Sequence, residues 1–518
     1  MEIAPKIAAI DMGTNSFHMA IASINEKGVI NIITREKEMV RLGSAAKDMK
    51  YLQEDAINRA IETLYRFMKI AQSENAIVRA VATSAVREAL NKDTLISRVR
   101  NELGFEIEVI SGVEEGRLIY LGVLHALPLN NRKTLVIDIG GGSTETIIGT
   151  NGKIDFVNSE KLGSIRLTKL CCNDGVFDKN ILASLKQFIL GEWSVVLDNI
   201  KSIGFDTVVG TSGTIQTLAN MAIMMKQHSL PEQINGLKIS TDEILEVIKL
   251  ITKKKNAKEI ARIPGMDPKR ADIILAGSVI LETAIKYLKI KEILISPYAL
   301  REGVVYDTYD KIKAKEDKSY LINLRFETIK DLSNKYKVDP NHSRLIRDIA
   351  LKLFDDLAGY HKLGLWEREM LEYAAYLHDV GYWISHDQHH KNSFYIITHS
   401  DLPGFTNDEA EIIGLIARYH RKSHPKKKHI EFAKLTEEKQ FVVSVLSGIL
   451  RIAEGIDRRQ KGYVQAILTK IEKRDPIPKL QIKLLPNDIK TDIDIEIWGA
   501  NRRKELLSVI LNIEIEII

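Results

Sequence analysis

The sequence predicts a duplicated α/β domain with a cleft between its halves, followed by an all-helical domain and a small β-rich end. Three observations carry this reading. The run IAAIDMGTNSFHMAIASI (7–24) reads as strand, Gly turn, strand, and LVIDIGGGSTETIIG (135–149) repeats its layout: apolar strand, Asp, Gly-rich turn with hydroxyls, apolar strand. From about Leu321 to Gln460 the apolar spacing is helical throughout, as in IRDIALKLFDDLAGYH and MLEYAAYLHDVG. Beyond Tyr463, the short runs LQIKLL, IDIEIW and LNIEIEI alternate with the period of strands.

The remaining elements follow in order. Between Gln53 and Gln72, Ile57, Ala60, Ile61, Leu64, Phe67 and Met68 recur at helical spacing, and Ile77 to Val81 reads as a short strand. Glu106 to Ile110 is a further strand, leading into SGVEEGRLIYLG, which opens a helix. A third strand–Gly turn, TVVGTSGTIQTLA, occupies 207–219. The segment DTYDKIKAKEDKSY (307–320) is charged and nearly devoid of core residues, which marks a domain boundary. The expected division is 1–124 and 125–306 for the two α/β halves, 307–462 for the helical domain and 463–518 for the β-rich end.

Bulk properties exclude several classes. At 518 residues the chain needs several cores, and 45% apolar with 28% charged residues is ordinary for a soluble globular protein. The N-terminus MEIAPKIAAIDMG lacks a basic region followed by an apolar one, so no secretory signal is expected. The longest uncharged stretch, 207–225, is interrupted by Gly, Ser, Thr, Gln and Asn and does not read as a membrane span. The only cysteines, Cys171 and Cys172, are adjacent, so no disulfide joins distant segments; a cytoplasmic protein is expected. The net charge of +5 is modest, with basic runs at 253–255 and 418–429 (RYHRKSHPKKKH). Such runs suit a polyanionic ligand, but charge alone does not choose among polyanions.

The Gly-rich turns carry chemistry. In DMGTNS, Gly13, Thr14, Asn15 and Ser16 can present backbone N–H groups and side-chain donors to phosphate oxygens; Gly140, Gly141, Gly142, Ser143, Thr144 and Glu145 repeat the arrangement after Asp138. GTSGT adds a third donor loop, Gly210, Thr211, Ser212, Gly213 and Thr214. Asp11 and Asp138, each near a strand end, stand where a phosphate-bound divalent cation needs oxygen ligands. One such loop is usually only a turn; three of one kind point to a phosphate clamp.

These segments resemble the phosphate-binding motifs of the actin, sugar kinase and heat-shock ATPase superfamily, whose halves are ribonuclease H-like. In detail, DMGTNSFHM, ATSAVREA (82–89), ISGVEEGRLIYLGV (110–123), DIGGGSTE (138–145), GTSGT and SPYALREGVVYD (296–307) resemble the Ppx/GppA phosphatases, which hydrolyse phosphoanhydrides. The resemblance implies an actin-like fold for both α/β halves and a general base at Glu115, with the neighbouring Glu114 pointing elsewhere. It implies Mg2+, with Mn2+ as an alternative, on Asp138 helped by Asp11. Arg87 matches a phosphate-contacting arginine, and Arg301 is a weaker candidate. The first substrate expectation is inorganic polyphosphate, cut processively from its end. The alternative is the 5′-γ-phosphate of guanosine pentaphosphate, and a non-catalytic polyphosphate or nucleotide sensor is the more distant reading. No membrane or specific nucleic acid partner is expected, and a homodimer is implied by longer relatives.

The helical domain resembles the HD phosphohydrolase fold found as the third domain of those longer members. The resemblance implies a separate divalent-metal site on His342, the adjacent His378 and Asp379, His420 and Asp457. Asn392 stands where relatives often carry His, and His386, His389, His390 and His399 crowd the same region.

Overall fold

The computed structural model describes all residues except 1–4, 26–28, 45–49, 130, 172–178, 232–233, 315–319, 401, 474–475 and 489. Cys172 and part of the 307–320 segment therefore lie outside the described residues. The chain forms two compact units, Met1–Tyr320 and Leu321–Ile518. Among the described residues no helix is long and apolar enough to cross a membrane.

The first unit shows the duplication directly. Strands β1 (Ile7–Met12), β2 (Phe17–Ile24), β3 (Ile30–Glu38), β4 (Ile77–Ala82) and β5 (Ile107–Val109) form one sheet in the order β3-β2-β1-β4-β5. In the second sheet β6 (Thr134–Ile139), β7 (Thr144–Thr150), β8 (Lys153–Glu160), β9 (Thr207–Thr211) and β11 (Glu292–Ile295) repeat that order, with β10 (Lys238–Ser240) added beyond β11. In both, the first three strands run antiparallel and the fourth pairs parallel to the first. This is the doubled actin-like α/β fold. The central strands carry near-continuous apolar runs because both faces are covered: Ile7, Ala8, Ala9 and Ile10 have no exposed surface. Edge strand β3 instead alternates half-buried and exposed residues.

The helices between the sheets correct the expected borders. The helix Gly112–Ala126, assigned by sequence to the first half, packs on β7 and β8 of the second sheet. The helix Leu300–Ala314, split by the expected 306/307 border between the second half and the helical domain, is continuous and packs on β1 and β2 of the first half. Each half thus covers the other's sheet. The two helices cross with backbone against backbone, since a Cβ on Gly122 would overlap the Ala299 carbonyl and one on Gly303 the Leu118 carbonyl.

A buried ion network ties this crossing to the first sheet. Arg79 of β4 donates to Asp307 at 2.5 Å and to Glu108 at 3.0 Å. Arg117 donates to the other Asp307 oxygen at 2.6 Å and to Glu114 at 2.7 and 2.8 Å. Burial alone would raise the Asp307 carboxyl, but Arg117, Lys311 and Arg79 outweigh it and hold it well below the usual carboxylate range.

In the second unit, the helices Pro340–Asp356, Leu365–Leu377, Asn407–Arg418 and Glu437–Ile456 share one apolar core with a three-stranded sheet. That sheet has β12 (Val464–Glu472), β13 (Lys479–Pro486) and β14 (Glu514–Ile517), in that order. The tail is therefore no separate domain: Leu480, Ile482 and Ile515 belong to the same core as Leu446 and Ile449. IDIEIW is also not a strand but lies in and before the helix Asp494–Asn501. The reason is topological. β13 and β14 pair parallel, so their connection must cross over, and that helix with Glu505–Leu511 provides the crossing.

Replacing Asp307 by Asn removes the carboxylate that Arg79 and Arg117 share, leaving each a single carboxylate partner, Glu108 and Glu114, and is expected to cost about 3–5 kcal/mol. Because the folded pKa is depressed, the carboxylate's stabilising contribution is present above about pH 4 and is lost as pH falls through the lower folded value. Urea midpoints measured against pH should separate wild type from Asp307→Asn at neutrality and bring them together in acid.

Candidate active site

The duplicated strand hairpins deliver matching positions to one cleft. Register places Asp11 opposite His18 and Asp138 opposite Glu145, so the two halves contribute Asp–His and Asp–Glu pairs at equivalent points. These four residues, with Glu115, line a cavity of about 190 Å3 between the halves. Glu115 sits in the first turn of the helix Gly112–Ala126, whose N-terminus Ser111 caps by accepting from the Glu114 N–H at 3.1 Å. As expected, Glu114 turns away, to Arg117.

The clamp loops touch one another. Thr14 Oγ1 lies 3.0 Å from Ser84 Oγ, and a Cβ on Gly142 would collide with both hydroxyls. Gly13, Thr14, Asn15, Ser16, Gly140, Gly141, Gly142 and Ser143 all reach the cavity. Of the third loop only Ser212 and Gly213 do. Gly210 belongs to β9, Thr211 donates to the Tyr298 carbonyl at 3.1 Å, and Thr214 packs against Gly277. Thr144 likewise donates to the Leu162 carbonyl and serves the fold. Ser212 opens the helix Ser212–Gln227 with a left-handed φ of 70°, a strained conformation that turns the helix N-terminus into the cavity.

Arg87 is brought to the site, but as a support for Glu115. It donates to Glu115 Oε2 at 2.9 Å and to the Ile110 carbonyl at 3.0 Å, and it is not part of the cavity wall. Arg301 does line the cavity, beside His18. Sequence reasoning missed His18, Lys37, Ser84, Gln216 and Arg270. His18 was legible, since aligning the two repeats puts it opposite Glu145. Arg270 had no local signal: its guanidinium lies flat on Gly213, where any Cβ would collide with it.

Burial dominates the electrostatics of the cavity. Burial first, then Glu115 and Asp138, against Arg301, lift the Asp11 carboxyl to about 7. Burial and Glu115, opposed by the Ser212 hydrogen bond and by Arg270, lift Asp138 to about 7. Glu145 is raised well above the usual range by burial, Glu115 and Asp138, and Glu115 is raised by burial in spite of Arg87. Burial also lowers Arg270 and Lys37 in the same cavity wall. Four crowded carboxylates, three cationic side chains (Lys37, Arg270 and Arg301) and the glycine-rich loops thus line one cavity.

In the second unit, His342 Nε2 and His378 Nε2 lie 3.7 and 3.4 Å from Asp379 Oδ2, and His389 Nε2 and His420 Nε2 lie 3.4 and 4.0 Å from Oδ1. The structure thus gathers the expected residues and adds His389. Asp457 stands behind, bonded to His342 Nδ1 at 2.7 Å.

An actin-like pair of halves around a cleft is shared by phosphate-binding proteins of several activities. Comparison of family models places it further: the Ppx/GppA phosphatase family matches residues 20–312, and Ppx/GppA phosphatase domain III matches 324–499. The chain belongs to the Ppx/GppA phosphatase family. A guanosine-5′-triphosphate,3′-diphosphate pyrophosphatase of Vibrio vulnificus is 30% identical, with 97% of each chain covered. An exopolyphosphatase crystal structure from Cytophaga hutchinsonii is 31% identical with a TM-score of 0.56, covering 59% of this chain and 98% of its own. An Aquifex aeolicus member of the family superposes with a TM-score of 0.52 at 29% identity, over 60% of this chain and 99% of its own.

Replacing Arg87 by Met should leave Glu115 in the cavity without its anchor. A fall in kcat of about 100-fold with little change in KM is expected, as for a misplaced catalytic group, and partial recovery in Arg87→Lys. A rise in KM with kcat intact would instead make Arg87 a phosphate ligand.

Proposed function

We propose that the chain hydrolyses the terminal 5′-phosphoanhydride of guanosine-5′-triphosphate,3′-diphosphate, releasing orthophosphate. The observation that carries this is the likeness to proteins named for that substrate through both units, 97% of the chain, whereas the exopolyphosphatase likeness covers 59%. The sequence expectation put inorganic polyphosphate first because of the basic runs. That ordering is reversed here, because a positive surface draws any polyphosphorylated ligand and does not discriminate between them.

The cavity supports the chemistry as follows. The loops 13–16 and 140–143 and the N-terminus of the helix Ser212–Gln227 hold the phosphate chain by N–H and hydroxyl donors. Arg270, Lys37 and Arg301 offset charge on the departing side. Glu115 takes a proton from a water aligned with the scissile bond. The water oxygen then bonds to phosphorus as the anhydride bond breaks, and the nucleoside product leaves with one phosphate fewer. Asp11 and Asp138, crowded by Glu115 and Glu145, fit a divalent cation, since four carboxylates in a small buried space otherwise repel one another. Mg2+ bound there would neutralise charge on the phosphoryl oxygens.

Orthophosphate release from guanosine pentaphosphate and from long-chain polyphosphate, for wild type beside Glu115→Gln, tests this. The nucleotide should show the higher kcat/KM, and the variant should lose about 10²–10⁴-fold in kcat. A higher kcat/KM on polyphosphate would overturn the substrate assignment and leave the mechanism; unchanged turnover in Glu115→Gln would overturn the mechanism.

A further inference from the structure

The second glycine-rich loop, 140–142, gives all its carbonyls to one stretch of chain. The N–H and Oγ of Ser164 donate to the Gly140 carbonyl at 2.9 and 3.1 Å. The N–H groups of Ile165 and Arg166 donate to that of Gly141 at 2.9 and 3.1 Å, and Arg166 Nε donates to that of Gly142 at 2.8 Å. A Cβ on Gly163 would overlap the Gly141 carbonyl, so the start of the helix Ser164–Cys171 lies directly on the loop. With its acceptors occupied, the loop is left with N–H groups to offer an anion.

Arg166 also reaches the first half. Its Nη2 donates to Glu88 Oε1 at 2.7 Å, and the two side chains are only 9 and 17% exposed. A charge-assisted bond in such shelter is stronger and less screened than a surface pair. Lys161 meets the other Glu88 oxygen at 3.1 Å but is 73% exposed, so its contribution is small.

Glu88 closes the short helix Ser84–Glu88, a single turn whose position depends on what it touches. Ala85 and Val86 root it in the core of the first sheet. Its three polar side chains all lead to the site or to the other half. Ser84 Oγ lies between Thr14 Oγ1 and Gly142, Arg87 anchors Glu115, and Glu88 holds Arg166. One turn of helix therefore connects both glycine-rich loops with the carboxylate base.

We infer that Glu88 and Arg166 are a positioning pair for the hydrolysis, joining loop 140–142 across the cleft to the turn that orients Glu115. Anion-binding loop and base are thereby brought into place together. The inference rests on the reading of Glu115 as the base. Neither Glu88 nor Arg166 is part of the cavity wall, so both act through other residues. Glu88 acts only through the turn, whereas Arg166 also holds the Gly142 carbonyl. Their losses therefore differ in kcat and KM.

The test measures kcat and KM for orthophosphate release by full-chain variants whose fold is checked by circular dichroism. The substrate is guanosine pentaphosphate, or long-chain polyphosphate should that be turned over faster. Glu88→Met should lower kcat about 10–100-fold with KM within about threefold of wild type. Glu88→Gln keeps an acceptor oxygen for Arg166 and should recover part of the loss. Arg166→Met should lower kcat by a similar factor and raise KM as well, because Gly142 is released. The double variant should be no slower than Arg166→Met alone, since the two residues act as one unit. In a Glu115→Gln background, Glu88→Met should cost less than about twofold further, as an absent base cannot be misplaced. Unchanged kcat in folded Glu88→Met, or losses that multiply in full in either double variant, overturns the pair. Should Glu88→Met fail to fold, Glu88→Gln is read instead, and a kcat equal to wild type overturns the pair. If Glu115→Gln alone keeps full turnover, the base assignment fails, and the cycle of Glu88→Met with Arg166→Met still decides whether the two residues work together.

Discussion

Two helices that cross with backbone against backbone at Gly122 and Gly303 set the geometry of the first unit. Gly122 and Gly303 allow backbone to meet backbone, and this close approach fixes where each helix begins. One begins with Glu115 in its first turn and the other with Leu300 and Arg301, and these starts reach the same cavity from opposite sides. The buried Arg79–Asp307–Arg117 network then locks the crossing against rotation, since any slip would part charges that water cannot reach. The placement of Glu115 relative to Arg301 is thus tied to packing outside the cavity itself.

Duplication supplied equal positions, and the halves diverged in charge. At the end of the central hairpin the first half has Asp11 with His18 and the second has Asp138 with Glu145. The helix after the last parallel strand carries Glu115 in one half and Glu302 in the other. Glu115 meets the cavity, while Glu302 is fully buried and accepts from the Ala299 N–H at 3.1 Å as a local cap. An ancestral symmetric cleft would have no preferred direction for an anion. Divergence has instead left the cleft with acids from both halves and with Lys37, Arg270 and Arg301 among them.

The strand hairpins, the Gly-rich loops and the gathering of His342, His378, Asp379 and His420 were legible because each is encoded within a short stretch or by a repeat. The reach of Thr144, Thr211 and Thr214 was not, because a hydroxyl next to a phosphate loop reads the same whether it faces the ligand or a carbonyl of its own fold. Arg87 reads as a ligand until Glu115 is seen beside it. Arg270 arrives from a distant segment, and only tertiary packing brings it in; Lys37 comes in on the neighbouring strand opposite His18, and His389 stood among the crowded histidines without a signal to single it out. IDIEIW misled for a related reason: alternating isoleucines suit a strand or a short buried helix, and the parallel pairing of β13 with β14 decides between them.

The exchange of covering helices also has a bearing on how the chain is made. The sheet that forms first during synthesis lacks one of its layers until residues 300–314 have been added, and the helix 112–126 has no surface to rest on until β7 and β8 exist. Local contacts cannot finish either half alone, so the nascent first half holds an uncovered apolar face for most of translation. Closure of the fold waits for a ribosome well past its midpoint, and a message truncated between those helices would yield a sticky fragment rather than a small working domain.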